Sequence, residues 1–337
     1  MKRALASAVA GLACVAGLVA ALGASPGPAL RAWVAGSLIG PAAWTATLLE
    51  ACPLLVAGLA VAICFRAGVW NIGAEGQLLA GALFATLVAT RAPAESPPLL
   101  LVPAVAVAGA LGGALFGAIA GWLRAARGVS EVISTILLNF VAIQCVALAV
   151  QGPLQEAARA YPQSEAFPAA ALLPALGRVH LGVPAAVLLA AIVHWIVFRS
   201  AIGFRMRAVG LSPRAARFAG IPAERTAVLA LVLGGGLAGL AGAFQVAGVT
   251  GRLYEGLSPG HGYTAIAVAL LARLEPLAVI PAALFFGALE AGAAAMQREA
   301  GVPAEATKVV QGVVVLLSVA LASAPVLRRA PAPAGGR

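Results

Sequence analysis

The chain has 337 residues, 62% of them hydrophobic and only 10% charged, with a formal net charge of +10. Soluble domains carry about 25% charged residues, so a water-soluble fold could not hide this much apolar surface, whereas a bilayer can. The basic excess comes without base-stacking aromatics beside a basic groove, so it marks membrane topology rather than nucleic-acid binding.

In chain order, the first apolar stretch covers residues 4–22, after Lys2 and Arg3 and before Gly23-Ala24-Ser25. The same pattern fits a secretory signal peptide; an uncleaved first helix is expected because so many spans follow. Further segments are expected at 46–65, 71–90, 99–122, 131–151, 183–198, 226–250, 261–274, 277–294 and 305–324. The reading is therefore an all-α, polytopic transmembrane helix bundle of about ten segments. Residues 152–182 form the longest polar, proline-containing stretch, and residues 199–225 are rich in arginine. Segment 261–274 is too short to cross a core of about 30 Å and reads as a half-helix or a span that borrows neighbours. With the N-terminus inside, 15 of the 22 Lys and Arg residues fall on the inner side, which puts both termini in the cytoplasm. The organisation expected is an N-terminal helix and external segment (1–45), a transmembrane domain (46–325) containing the loop 199–225, and a cytoplasmic tail (326–337).

Gly109, Gly113, Gly117 and Gly121 recur every fourth residue and line one helix face, as close-packed membrane helices require. Gly235 and Gly239 repeat the pattern. The four cysteines lie in apolar stretches without a CxxC pair, and the three histidines are dispersed, so no metal site and no cofactor are expected.

Two asparagines occur in the whole chain, Asn71 and Asn139, both at membrane segments. Asn71, Glu75 and Gln77 form a polar cluster at an apolar boundary. Such a cluster either serves a solute pathway, or Asn71 caps a helix and Glu75 sits in its first turn. If residues 71–75 are helical, Asn71 and Glu75 share a face. Glu131, Thr135 and Asn139 lie on one stripe at spacing four, with Asn139 about 12 Å deeper than Glu131. An asparagine at that depth needs either a structural partner or a wet cavity. Farther on, Ser212 is a good N-cap, Pro213 suits the first helical position and Gly220 supplies a stop, so 213–219 should be a short helix on the inner face. Arg214, Arg217 and Phe218 on it suit docking to a partner. No P-loop or HExxH pattern occurs, and no GxSxG lies in a soluble context, so neither ATP binding by a P-loop nor catalysis has support, and the chain does not read as an enzyme.

The run Asn71-Ile72-Gly73-Ala74-Glu75-Gly76-Gln77 resembles the signature of ABC permeases of the branched-chain amino acid, sugar and nucleoside group. Its Glu-Gly-Gln form is most similar to the nucleoside-type members. Residues 131–139 and 256–271 resemble two further elements of these permeases. Residues 200–221, with Arg207, Ser212, Arg214, Arg217, Phe218 and Gly220, resemble the loop that contacts the ATPase. The resemblance implies the membrane-spanning subunit of an importer for a small polar solute, a nucleoside in the first instance, in the bacterial inner (plasma) membrane. It also implies a separate ABC ATP-binding subunit, a second permease subunit, identical or related, and an external solute-binding lipoprotein. Sugar or branched-chain amino acid import is the alternative within the group; an ATP-independent channel or secondary transporter is the alternative outside it.

Overall fold

In lipid every backbone polar group must find an internal partner, and long Ala/Leu/Val/Gly stretches meet that demand as helices. The computed structural model describes residues 25–303 except 94, together with residues 17, 20, 309, 312 and 313. Its helices are α1 (Pro26–Leu38), α2 (Pro41–Arg66), α3 (Ala74–Arg91), α4 (Pro98–Arg127), α5 (Glu131–Gln151), α6 (Gly182–Arg199), α7 (Ala201–Leu211), α8 (Pro213–Phe218), α9 (Ala223–Gln245), α10 (His261–Leu271) and α11 (Val279–Ala300). A π-helical turn, Val246–Thr250, extends α9, and Gly251 ends it with φ +64°. The only strands among the described residues are β1 (Ala175–Leu176) and β2 (Val179–His180), an antiparallel pair.

Six helices among the described residues are long and apolar enough to cross a membrane: Pro41–Arg66, Pro98–Arg127, Glu131–Gln151, Gly182–Arg199, Ala223–Thr250 and Val279–Ala300. The expected segments 4–22 and 305–324 lie outside the described residues. The expected segment 71–90 begins later, because residues 67–73 are not helical and α3 starts at Ala74. Asn71 and Glu75 therefore do not share a helix face. α10 has 11 residues, about 16 Å of rise, which makes it a half-helix. Two helices lie where none was expected. Ser25 and Pro26 start α1, with proline in the first turn. Ser200, whose Oγ accepts from the Gly203 N–H at 3.1 Å, starts α7 inside the arginine-rich stretch.

Residues Leu48–Gly287 form one compact unit, and residues up to Thr47 with those from Ala288 form another. Within the larger unit, α4 and α9 run antiparallel with almost no side chain between them. A Cβ on Gly109 would meet the Ala243 Cβ at 2.5 Å, one on Gly113 the Gly239 Cα at 2.6 Å, and one on Gly117 the Leu231 carbonyl group at 2.9 Å. Gly121 is looser, its nearest neighbour being the Val228 side chain at 3.1 Å. α3 closes the same cluster, with Gly81 packed on Gly239 and Gly242 packed on Leu78. Small residues permit this approach, and dispersion between backbones replaces the hydrophobic drive that lipid removes. In the smaller unit, Gly36 packs on Ala295 and Gly292 on Trp33, and the Thr47 hydroxyl donates to the Ser37 carbonyl at 2.7 Å.

The stretch between α5 and α6 folds as a cap on the end of α9. The Ser164 N–H donates to the Leu253 carbonyl at 2.7 Å, and the Leu253 N–H donates back to the Ser164 hydroxyl at 3.0 Å. Leu173 N–H reaches the Ala247 carbonyl at 2.9 Å. His180 ends the hairpin, buried, with its Nδ1 accepting from the Gly182 N–H at 3.1 Å and its ring against Gly248. Burial holds its pKa below the ordinary 6.5.

Candidate functional site: a polar knot at membrane depth

The non-helical stretch before α3 carries free backbone groups into an apolar layer, where each needs a partner. The stripe on α5 supplies them. The Glu131 carboxylate accepts from the Trp70 N–H at 3.5 Å. The Thr135 hydroxyl accepts from the Ile72 N–H at 3.3 Å. The Asn139 Oδ1 accepts from the Gly76 N–H at 2.8 Å, and its Nδ2 donates to the Ile72 carbonyl at 3.0 Å. Glu131 and Thr135 thus serve N–H groups two residues apart, and Asn139 joins the Ile72 carbonyl to the Gly76 N–H in the first turn of α3. Glu131 is in turn clamped by Arg124 of α4 at 2.6 Å, and Arg124 also approaches Glu224 of α9 at 3.5 Å.

Asn71 faces the other way and pairs with Gln77. Its Nδ2 donates to Gln77 Oε1 at 2.9 Å, and Gln77 Nε2 donates to Asn71 Oδ1 at 3.1 Å. Asn71 Oδ1 also accepts from the Gly73 N–H at 3.0 Å, which turns the chain into α3. Both amides are buried, as is Glu75. Glu75 lies in the first turn of α3, and its carboxylate accepts from the Gly262 N–H at 2.7 Å, in the first turn of α10. Two helix N-termini thus converge on one carboxylate, a favourable place for negative charge. Only glycine fits at 262, because a Cβ would strike the Glu75 backbone.

Beside the knot is a cavity of about 150 Å³ lined by Glu75, Leu79, Ile143, Val146, Glu255, Gly256 and Ser258. A cavity of that size holds one six-membered ring. Its walls are branched aliphatics, and its polar side chains are two carboxylates and one hydroxyl. That set suits hydroxyl donors and repels anions.

The structure thus brings Asn71, Glu75, Gln77 and Asn139 into one cluster. Tyr263, whose hydroxyl receives the Asn139 amide at 3.3 Å, and the cavity residues Glu255 and Ser258 were not singled out from sequence. An aromatic hydroxyl next to Gly262 at the start of a short helix was the available signal.

The second group lies apart from the knot. α8 spans six residues, capped by the Ser212 hydroxyl, which accepts from the Ala215 N–H at 3.3 Å, and ended by Gly220 at φ +77°. Ala216 packs inward against Val209 and Ala223, while Arg214 and Arg217 are exposed and Phe218 is 95% exposed. Arg207 does not join them. It sits on α7 with its guanidinium 5.2 Å from the centre of the Phe198 ring.

Comparison with known proteins agrees with this arrangement. The family described as branched-chain amino acid transport system, permease component, matches residues 44–319. A glucose ABC transporter permease of Haloferax volcanii is 36% identical over 81% of this chain and 74% of its own length. A guanosine ABC transporter permease of Bacillus subtilis is 33% identical over 80% and 79%. A nucleoside ABC transporter permease of Lactococcus lactis is 32% identical over 78% and 75%. These matches cover the long apolar helices, the polar knot and the α7–α8 arm alike, and the chain belongs to this family of ABC transport permeases as a membrane-embedded transport subunit.

Proposed function

We propose that this chain is one of two pore-forming permease subunits of an ATP-driven importer that carries a nucleoside into the cell. In this reading it crosses the inner (plasma) membrane about ten times with both termini in the cytoplasm. A separate ABC ATP-binding subunit docks on α8, and an external solute-binding lipoprotein delivers solute on the side of the 152–182 cap. The observation that carries the reading is α8, a capped helix whose largest apolar side chain, Phe218, is 95% exposed at the end of an arginine-rich arm. A bare aromatic beside two arginines is the composition of an interface anchor, not of a solvated loop.

The solute follows from two supports. The guanosine and nucleoside permeases are among the similar proteins, and the acceptor-lined, ring-sized cavity suits a sugar ring bearing hydroxyls. A second reading, a free sugar, is favoured by the similarity to the glucose permease and fits the same cavity.

The test is uptake in vesicles holding the reconstituted importer. Labelled uridine or adenosine should accumulate saturably and only with ATP. Accumulation of glucose with no nucleoside would select the second reading, and leucine uptake alone would overturn both. Phe218→Ala should release the ATPase more than Arg214→Ala does, since loss of a central anchor costs about 2 kcal/mol or more whereas rim charge mainly affects association. Co-purification of the ATPase measures the difference.

A further inference from the structure

Two chain segments hold the polar knot: the stretch 67–73, which leaves the end of α2, and α10, which runs into the turn at 272–275. Both converge on Arg66. Its Nε donates to the Leu274 carbonyl at 2.7 Å, and its Nη2 pairs with Glu275 at 3.0 Å. The other oxygen of Glu275 faces His194 Nδ1 of α6 at 2.9 Å. Arg273 and Leu274 have φ of +52° and +60°, a conformation that residues other than glycine hold only where the surroundings enforce it. The Arg66 guanidinium also lies 4.7 Å from the centre of the Phe198 ring, the ring that Arg207 of α7 approaches at 5.2 Å.

The backbone makes the same junction. Gly210, near the end of α7, lies against the Arg66 carbonyl, and a Cβ on Gly68 would be 3.1 Å from the Gly210 Cα. Two residues beyond Gly210, Ser212 starts α8.

We infer that Arg66 is the positioning residue that links the exposed arm α7–α8 to the polar knot. The inference rests on the reading of α8 as the ATPase dock. A displacement of α7 reaches Arg66 through the Gly210 contact and the shared Phe198 ring. From there it has two short paths. Five residues lead from Arg66 to Asn71. The Leu274 and Glu275 contacts lead into α10, a rigid helix whose other end donates to Glu75. The knot is thus gripped from both sides by one guanidinium. An arginine suits this task because its planar fork holds two acceptors in fixed directions at once, which a lysine ammonium on a flexible stem does not.

The test uses the complete importer, permease with ATPase and binding protein, in vesicles. ATP hydrolysis and solute uptake are measured together, and the ratio of the two is read. Arg66→Gln should lower uptake tenfold or more while ATP hydrolysis stays within twofold of wild type. Glu275→Gln should do the same, and the double variant should be no worse than either single one. Arg66→Lys should recover part of the uptake.

Hydrogen exchange gives the second reading: binding of a non-hydrolysable ATP analogue should change exchange in peptides covering 67–77 and 261–275 of wild type, and not of Arg66→Gln. Uptake and hydrolysis falling in parallel in Arg66→Gln, or neither changing, would overturn the inference. So would multiplicative losses in the double variant. If Arg66→Gln fails to reach the membrane, the wild-type exchange measurement decides, and an unchanged 67–77 overturns the proposal. Wild type without ATP-dependent uptake would instead overturn the importer reading on which the proposal stands.

Discussion

Replacing Asn139 with leucine strands the buried Gly76 N–H and the partly buried Ile72 carbonyl, which the amide now satisfies. Each such group costs about 1–3 kcal/mol. Asn139→Leu should therefore lower the melting temperature of the purified protein clearly, with uptake lost as a consequence, whereas Asn139→Asp keeps the acceptor for Gly76 and should lose less. Asn139 braces the knot; Glu75 both lines the cavity and accepts from the Gly262 N–H, so Glu75→Gln, which keeps that acceptor, should raise KM with a smaller fall in stability than Asn139→Leu. Burial moves His180 in the opposite sense to a histidine beside a carboxylate. Its folded pKa lies below 6.5, so the cap is fully stable above that pH and loses stability as the pH falls through the lower, folded value. A melting series from pH 8 to pH 5 should show this decline, and His180→Gln should flatten it.

Among the elements, the α4–α9 contact grades its glycines. Gly113→Ala drives a methyl group into the backbone of Gly239 and should cost about 3 kcal/mol or more, at the upper end of overpacking. Gly121→Ala meets Val228 less closely, its side chain at 3.1 Å and its Cα at 3.2 Å, and a gain in helix propensity of up to about 1 kcal/mol offsets part of the push. Thermal stability of the two variants in the same detergent checks the contrast. The glycine ladder was legible because a period of four needs no knowledge of the partner helix. α8 was legible for the same reason: Ser212, Pro213 and Gly220 are start and stop signals carried within nine residues. α7 was not, because its arginines and two glycines read as loop, and the reason for the glycines lies elsewhere in the chain, at Val197 and Arg66. The stripe Glu131–Thr135–Asn139 could be read as a stripe. Its partners could not, since the backbone of residues 70–76 is some sixty positions away and its residues 71–73 were expected to be helical.

For the molecule as a whole, the arginine and lysine distribution sets a topology that can be measured. Reporter fusions after Gln151 should report the external side, and fusions after Leu211 and at the C-terminus the cytoplasm; external activity at the C-terminus would break the ten-segment arrangement. Within the larger unit, α3 and α10 contribute polar ends rather than full apolar spans, and hydropathy alone misplaces such elements, because a half-helix is recognised by what its end points at. The ladder between residues 70–76 and α5 has one more consequence. Asn139 holds it at two points, the Ile72 carbonyl before the turn and the Gly76 N–H inside α3, so a slide of an ångström or two against α5 breaks both bonds together. The entry to α3 and the helix α5 are thereby tied together as one piece.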